Sequence, residues 1–244
     1  MNILASGFSK ALSAFSRSPL SFVWASFFYV VLLAVVSFAA IGIFLIYFMI
    51  TSVAEQPVLN PAPSIPTIVV LVLLGLFVSL CSAGLSGALT RAYREAMNGG
   101  KKTSMADFYG YMLRCAPMCF SIALIRDVFS AFFIVPAAVI YSLYLSTTGF
   151  ADVVVGLFIL FVSFIAHMGF APAFISAGTG LETNLLGALK RGLRVLTSKH
   201  VYFLLFYVLF AFVWLLCFVP IIQIIAIFAL LPIAYSALIT FVEL

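Results

Sequence analysis

Apolar residues fill this chain in long blocks that are nearly free of charge, separated by short basic or proline-rich segments. Crossing the hydrocarbon core of a bilayer takes about 20 helical residues, roughly 17–25. The first block that satisfies this covers residues 20–51, and a stretch with Pro57, Pro61, Pro63 and Pro66 follows it, Glu55 being its only charge. A second helix is predicted from Pro66, a residue suited to a first helical turn, to Asn98, with Gly99-Gly100 as its stop. Ser104 and Asp107 make an S-x-x-D start for a half-polar helix reaching Cys115. A third span is predicted over 128–147 with Pro136 kinking it, and a fourth over 152–177 bent at Pro172. Thr179 and Glu182 give a T-x-x-E start for a further helix, with Leu185, Leu189, Leu193 and Leu196 on one apolar stripe. Residues 201–241 are then almost continuously apolar. As one helix they would measure about 60 Å, twice the roughly 30 Å of a bilayer core. The pattern therefore predicts a hairpin turning near Val219-Pro220, and with it an all-α, polytopic membrane fold of six spans forming one transmembrane domain over 1–244.

A weaker periodicity runs through the spans. Each even-numbered one ends in a related octet: Leu85-Ser86-Gly87-Ala88-Leu89-Thr90-Arg91-Ala92, Phe170-Ala171-Pro172-Ala173-Phe174-Ile175-Ser176-Ala177, and Leu230-Leu231-Pro232-Ile233-Ala234-Tyr235-Ser236-Ala237. The third position is Gly or Pro and the eighth is Ala in all three. An amphipathic basic segment precedes each odd-numbered span, the first with Leu4, Phe8, Leu12 and Phe15 on one face and Lys10 off it. The expected unit is an interfacial elbow helix followed by a helical hairpin, repeated over about 1–100, 101–178 and 179–244.

Three stretches resemble a group of uncharacterised prokaryotic six-helix membrane proteins. They are Gly7-Phe8-Ser9-Lys10-Ala11-Leu12 running through Ser18-Pro19, residues 84–107, and Ala171-Pro172-Ala173 followed by Ala188-Leu189-Lys190-Arg191. The group contains domain-of-unknown-function families and the membrane domain fused to some glycerophosphodiester phosphodiesterases. The resemblance implies an architecture and no settled activity. In the fused members the chemistry belongs to a separate soluble domain, which the resemblance does not extend to here.

Composition agrees with the pattern. Hydrophobic residues are 66% of the chain and charged residues 8%, against roughly 45–50% and about 25% in soluble domains. The net charge of +5 would ordinarily raise nucleic acid as a partner, but its distribution gives another reason. All twelve Lys and Arg fall in three clusters: Lys10 and Arg17; Arg91, Arg94, Lys101, Lys102, Arg114 and Arg126; and Lys190, Arg191, Arg194 and Lys199. Residues 52–65, 146–152 and 218–222 hold none. That asymmetry predicts an inner-membrane protein with both termini cytoplasmic and no nucleic-acid role. The first apolar run exceeds a signal-peptide core of roughly 7–15 residues, so no cleavable leader is expected. Cys81, Cys115, Cys119 and Cys217 lie in or beside apolar segments, which favours free thiols over a disulfide framework.

Candidate chemistry is sparse. Ionisable groups at membrane depth are costly and mark sites by default. Arg126 and Asp127 are read as a buried ion pair, a proton relay or a headgroup anchor, or else as interfacial residues with Arg126 snorkelling outward. Neighbours on a helix point about 100° apart, so the two are not expected to pair with each other. His167, inside the fourth span, lacks a partner at i±3 or i±4 for a metal, and is expected to hydrogen-bond between helices. Gln223 is read as interhelical glue. No cofactor, metal or catalytic set is expected: Gly99-Gly100-Lys101-Lys102-Thr103 lacks phosphate-loop spacing, and no nucleophile–base constellation is present. The basic elbows should attract anionic lipid, with Lys10, Arg17, Lys101, Lys102, Lys190, Arg191, Arg194 and Lys199 as headgroup contacts. The expected role is a structural or accessory subunit in contact with lipid, other subunits or a second copy. Transport of a small solute is the alternative and a lipid enzyme the remote one.

Overall fold

A computed structural model describes residues 3–54, 65–99, 103–141, 149–217, 219–220 and 222–243. Among them there is no strand, and the chain forms α1 (Ile3–Arg17), α2 (Pro19–Ala54), α3 (Ile65–Gly99), α4 (Met105–Ile140), α5 (Gly149–Thr179), α6 (Leu185–Leu216) and α7 (Gln223–Glu243). Helices α2 to α7 are each long and apolar enough to cross a membrane, as expected for an all-α polytopic fold. The proline-rich loop and Lys101-Lys102 lie outside the described residues.

Most predicted boundaries agree within a turn, and the departures have local causes. The half-polar helix expected to end near Cys115 runs without interruption into the third span, so α4 is a single rod with Pro117 and Pro136 inside it. Its intervening residues, Ala116 to Ile125, hold one proline and no glycine, and a lone proline bends a helix more readily than it ends one. The Ser104 cap forms as read: the Asp107 N–H donates to Ser104 Oγ at 3.1 Å, and the Ser104 N–H donates to Asp107 Oδ2 at 3.2 Å. The T-x-x-E start at Thr179 does not form. Thr179 is instead the last residue of α5, its hydroxyl donating back to Ile175 O at 2.8 Å. Gly180 follows at φ 72, a left-handed conformation that glycine adopts without a side-chain clash. The N–H groups of Gly180 and Leu181 close the helix on Ala177 O and Ser176 O, so the last carbonyls are satisfied by the chain turning back at a glycine. Asn184 is the cap of α6, its Oδ1 accepting from the Gly187 N–H at 2.6 Å.

The hairpin expected in the last apolar block is present, with α6 ending at Leu216 and α7 starting at Gln223. Helix α6 carries one non-helical joint, at Lys199 (φ −137, ψ 28), between its basic and apolar parts. In α7, a π-helical turn over Ala226–Leu230 comes directly before Pro232. Proline cannot donate to the carbonyl four residues back, and a π turn is a common way to absorb such a defect.

Burial is concentrated at one end. On α2 the buried residues are Ser21, Phe22, Ala25 and Ser26; on α3 they fall within 83–97, on α4 within 108–123 and on α5 within 162–179. Beyond these, large side chains such as Phe38, Leu73, Phe132 and Leu160 are exposed, as lipid-facing residues are. Tyr93, Phe22, Phe108, Phe203, Phe206 and Phe241 are fully buried and form the centre of the core.

Candidate functional site

The elbow helices pack through their small residues. On α1 the buried positions are Gly7, Ala11 and Ala14, with Phe8 stacked on Phe206 and Phe15 against Phe22, while Leu12 of the same apolar face is 56% exposed. On the part of α6 before Lys199 they are Ala188, Gly192 and Val195, and Leu193 is 63% exposed. A Cβ on Gly192 would stand 2.9 Å from Ala173 of α5. Backbones at this distance gain van der Waals contact that larger residues would prevent, which is the packing rule inside membranes. Gly87 of α3 obeys it too, with Cys115 Cβ and Cys119 Sγ of α4 each 2.8 Å from where its Cβ would be.

The same end of the molecule holds a network of charges joining helix ends. Arg94 of α3 donates from Nη1 to Thr179 O at 2.7 Å and from Nε to Glu243 Oε1 at 2.6 Å. Arg91 also reaches Thr179 O, at 3.2 Å, and pairs with Glu95. Tyr111 of α4 donates to that same Glu95 carboxylate. Arg191 of α6 donates to the last carbonyls of α7, at Val242 and Glu243, and lies 3.7 Å from Glu182. Carbonyls at a helix C-terminus lack intrahelical donors and carry the negative end of the dipole. Arginine satisfies both needs at once, so the C-termini of α5 and α7 are closed by side chains from α3 and α6.

Deeper in the core two hydroxyl pairs bridge helices. Ser26 donates to Phe22 O and Thr90 to Ser86 O. A hydroxyl has one proton, so the contacts of 2.6 Å with Tyr93 and 2.7 Å with Tyr235 are made by the tyrosine O–H groups as donors. Among the described residues the buried Ser176 and Ser236 hydroxyls and Arg191 Nε have no hydrogen-bond partner. Apart from Arg191, expected at headgroups, none of these groups is a site candidate in the sequence. The signal available is the Arg91–Glu95 spacing together with Glu243, the one acid after Glu182.

The sequence candidates are distributed differently. Arg126 and Asp127 do pair, contrary to expectation, with Nη2 and Nε at 2.7 Å and 2.8 Å from Oδ1. The long guanidinium arm folds back across the 100° that separates the two Cα–Cβ directions. His167 bonds within its own helix, Nδ1 to Ser163 O at 2.8 Å, and does not link two helices. Counting from the Tyr141–Asp152 contact that joins the two helices, Arg126 and His167 each stand fifteen residues along, so with Asp127 they form one patch at a single level of the packed α4 and α5 pair, within electrostatic reach of one another. Asp127 and His167 are exposed, which places the patch on the outer face of the helices. Gln223 is exposed in the first turn of α7.

Of the expected headgroup contacts, Lys10, Arg17, Lys190 and Arg194 are exposed at the charged end. Arg191 is turned inward as described, and Lys199 stands over the Phe241 ring at 5.7 Å. A pocket of about 350 Å³ opens between α2 and the start of α4, lined by Trp24, Phe28, Thr103 and Ser104. All four cysteines are free, and Cys115 donates to Gly178 O at 3.6 Å. Among the described residues no three His, Cys, Asp or Glu side chains gather as metal ligands would. No family model, curated protein or solved structure matches this chain.

Proposed function

We propose that this chain is a non-enzymatic, multi-pass protein of the cell (inner) membrane that serves as a structural or accessory subunit, or scaffold. It acts through helix packing and inner-leaflet lipid contacts, with both termini cytoplasmic. One observation carries the reading: the arginines between helix ends are spent on joining helices, while other basic side chains of the same end are exposed. Arg91, Arg94 and Arg191 hold carbonyls and carboxylates, and Lys10, Arg17, Lys190 and Arg194 are exposed where they can meet headgroups. Coupled transport calls for ionisable groups inside the bundle, whereas Asp127 and His167 lie on its outer face. The partners are anionic lipid at the cytoplasmic face and other membrane subunits or a second copy. Kinship with the six-helix group is part of the same proposal and rests on the elbow-and-hairpin order.

The test is direct. Extraction in mild detergent should recover the chain in a stable assembly, and liposomes containing it should show no solute flux above empty ones. Flux that disappears in Arg126→Ala or His167→Ala would replace this reading with transport.

A further inference from the structure

Charge at membrane depth must meet something other than hydrocarbon, and the Arg126–Asp127–His167 patch has a definite depth. Tyr141, directly after α4, hydrogen-bonds Asp152 of α5, tying the two helices at the end away from the basic network. Fifteen residues separate Tyr141 from Arg126, and fifteen separate Asp152 from His167. At 1.5 Å per residue both sites lie about 22 Å from that tie. In a hydrocarbon core of about 30 Å this is within a long side chain's reach of the leaflet at the basic end. Toward the opposite leaflet the side of α4 that carries Arg126 continues as Phe129 and Phe133, in ring contact with each other and both exposed. A polar group flanked on one side by a lipid-facing aromatic wall is the shape of a phospholipid standing against the helices.

The unused atoms select the headgroup. Asp127 neutralises Arg126, so the pair offers a dipole and no net attraction for an anionic lipid. Among the described residues, Arg126 Nη1 and Asp127 Oδ2 carry no hydrogen bond. Ser163 O can only accept, so His167 Nδ1 bears the proton and a neutral ring leaves Nε2 as an acceptor. The patch thus presents one free cationic donor beside two acceptors. A phosphate followed by a primary ammonium complements that set. The ammonium has three N–H donors for Asp127 and His167, and a trimethylammonium has none.

We propose that this patch is a binding site for the zwitterionic headgroup of phosphatidylethanolamine, its phosphate on Arg126 and its ammonium on Asp127 and His167. The inference rests on the reading that the chain works through inner-leaflet lipid contacts, and it adds which lipid is met here. The full chain, reconstituted in mixed bilayers and released for native mass spectrometry, should retain phosphatidylethanolamine over phosphatidylcholine by about tenfold, the ratio for one charge-assisted hydrogen bond. Stepwise N-methylation of the headgroup should lower the ratio in steps, a series needing no variant. Asp127→Asn and His167→Ala should each bring it toward unity, and Gln223→Ala should leave it unchanged. Equal retention of phosphatidylglycerol, or a preference that survives Asp127→Asn, overturns the site. So does displacement by soluble glycerophosphoethanolamine, which lacks acyl chains. Cross-linking of Phe133→Cys to a protein whatever the lipid would assign the patch to a partner helix instead. Failure here with anionic-lipid binding intact removes only this inference; loss of both removes the lipid contacts proposed above.

Discussion

At the scale of single residues, glycine spacing separates packing from tolerance. A methyl group on Gly87 would press on Cys115 and Cys119, whereas one on Gly75 would meet nothing within 4 Å. Gly87→Ala should therefore cost about 1–3 kcal/mol by overpacking, and Gly75→Ala should stay within about 0.5 kcal/mol. Thermal unfolding of both variants in one detergent checks the contrast. The spacing of Gly84, Gly87 and Ala88 along an apolar helix marks them as residues that let helices approach closely, and the first two do meet α4. The pairing of Arg126 with Asp127 was not legible. Backbone geometry aims their Cβ atoms apart, and only the guanidinium's length, settled by side-chain conformation, brings the charges together.

At the scale of elements, the amphipathic stripes divide between neighbouring helices and lipid. Phe8 and Phe15 of the first and Leu185, Leu189 and Leu196 of the last pack against the core beside Gly7, Ala11, Ala14, Ala188, Gly192 and Val195, while Leu12 and Leu193 are exposed. Hydrophobic periodicity finds the face that avoids water. In a bilayer the large apolar residues are equally at home in lipid, so the closest helix contacts pass to the small ones. Helix ends show what replaces water there. Arg94 joins the α5 C-terminus to Glu243, with 26% and 18% of the two side chains exposed, so Arg94→Ala should destabilise by about 2–3 kcal/mol. Arg94→Ala/Glu243→Ala should cost less than the sum of its parts, since both singles remove one contact. Denaturation in a common detergent, run as a double-mutant cycle, measures the difference.

At the scale of the whole molecule, the charged end is both the proposed cytoplasmic surface and the tightly packed end. With Cys81, Cys115, Cys119 and Cys217 replaced, single cysteines at Lys10 and Arg194 should react with an impermeant thiol reagent only from the cytoplasmic side. A cysteine at Thr147, between α4 and α5, should react only from outside, and the reverse pattern would invert the topology. The membrane class, the six spans, the final hairpin and the sidedness of the charges follow from sequence by itself. Apolar run length is set against bilayer thickness, and basic residues are counted segment by segment, so neither needs a knowledge of contacts. Which arginines close helix ends and which meet lipid depended on the tertiary structure. Arg94, Arg191 and Arg194 look alike in sequence, and only the convergence of α3, α5, α6 and α7 places carbonyls and carboxylates beside the first two while leaving the third exposed.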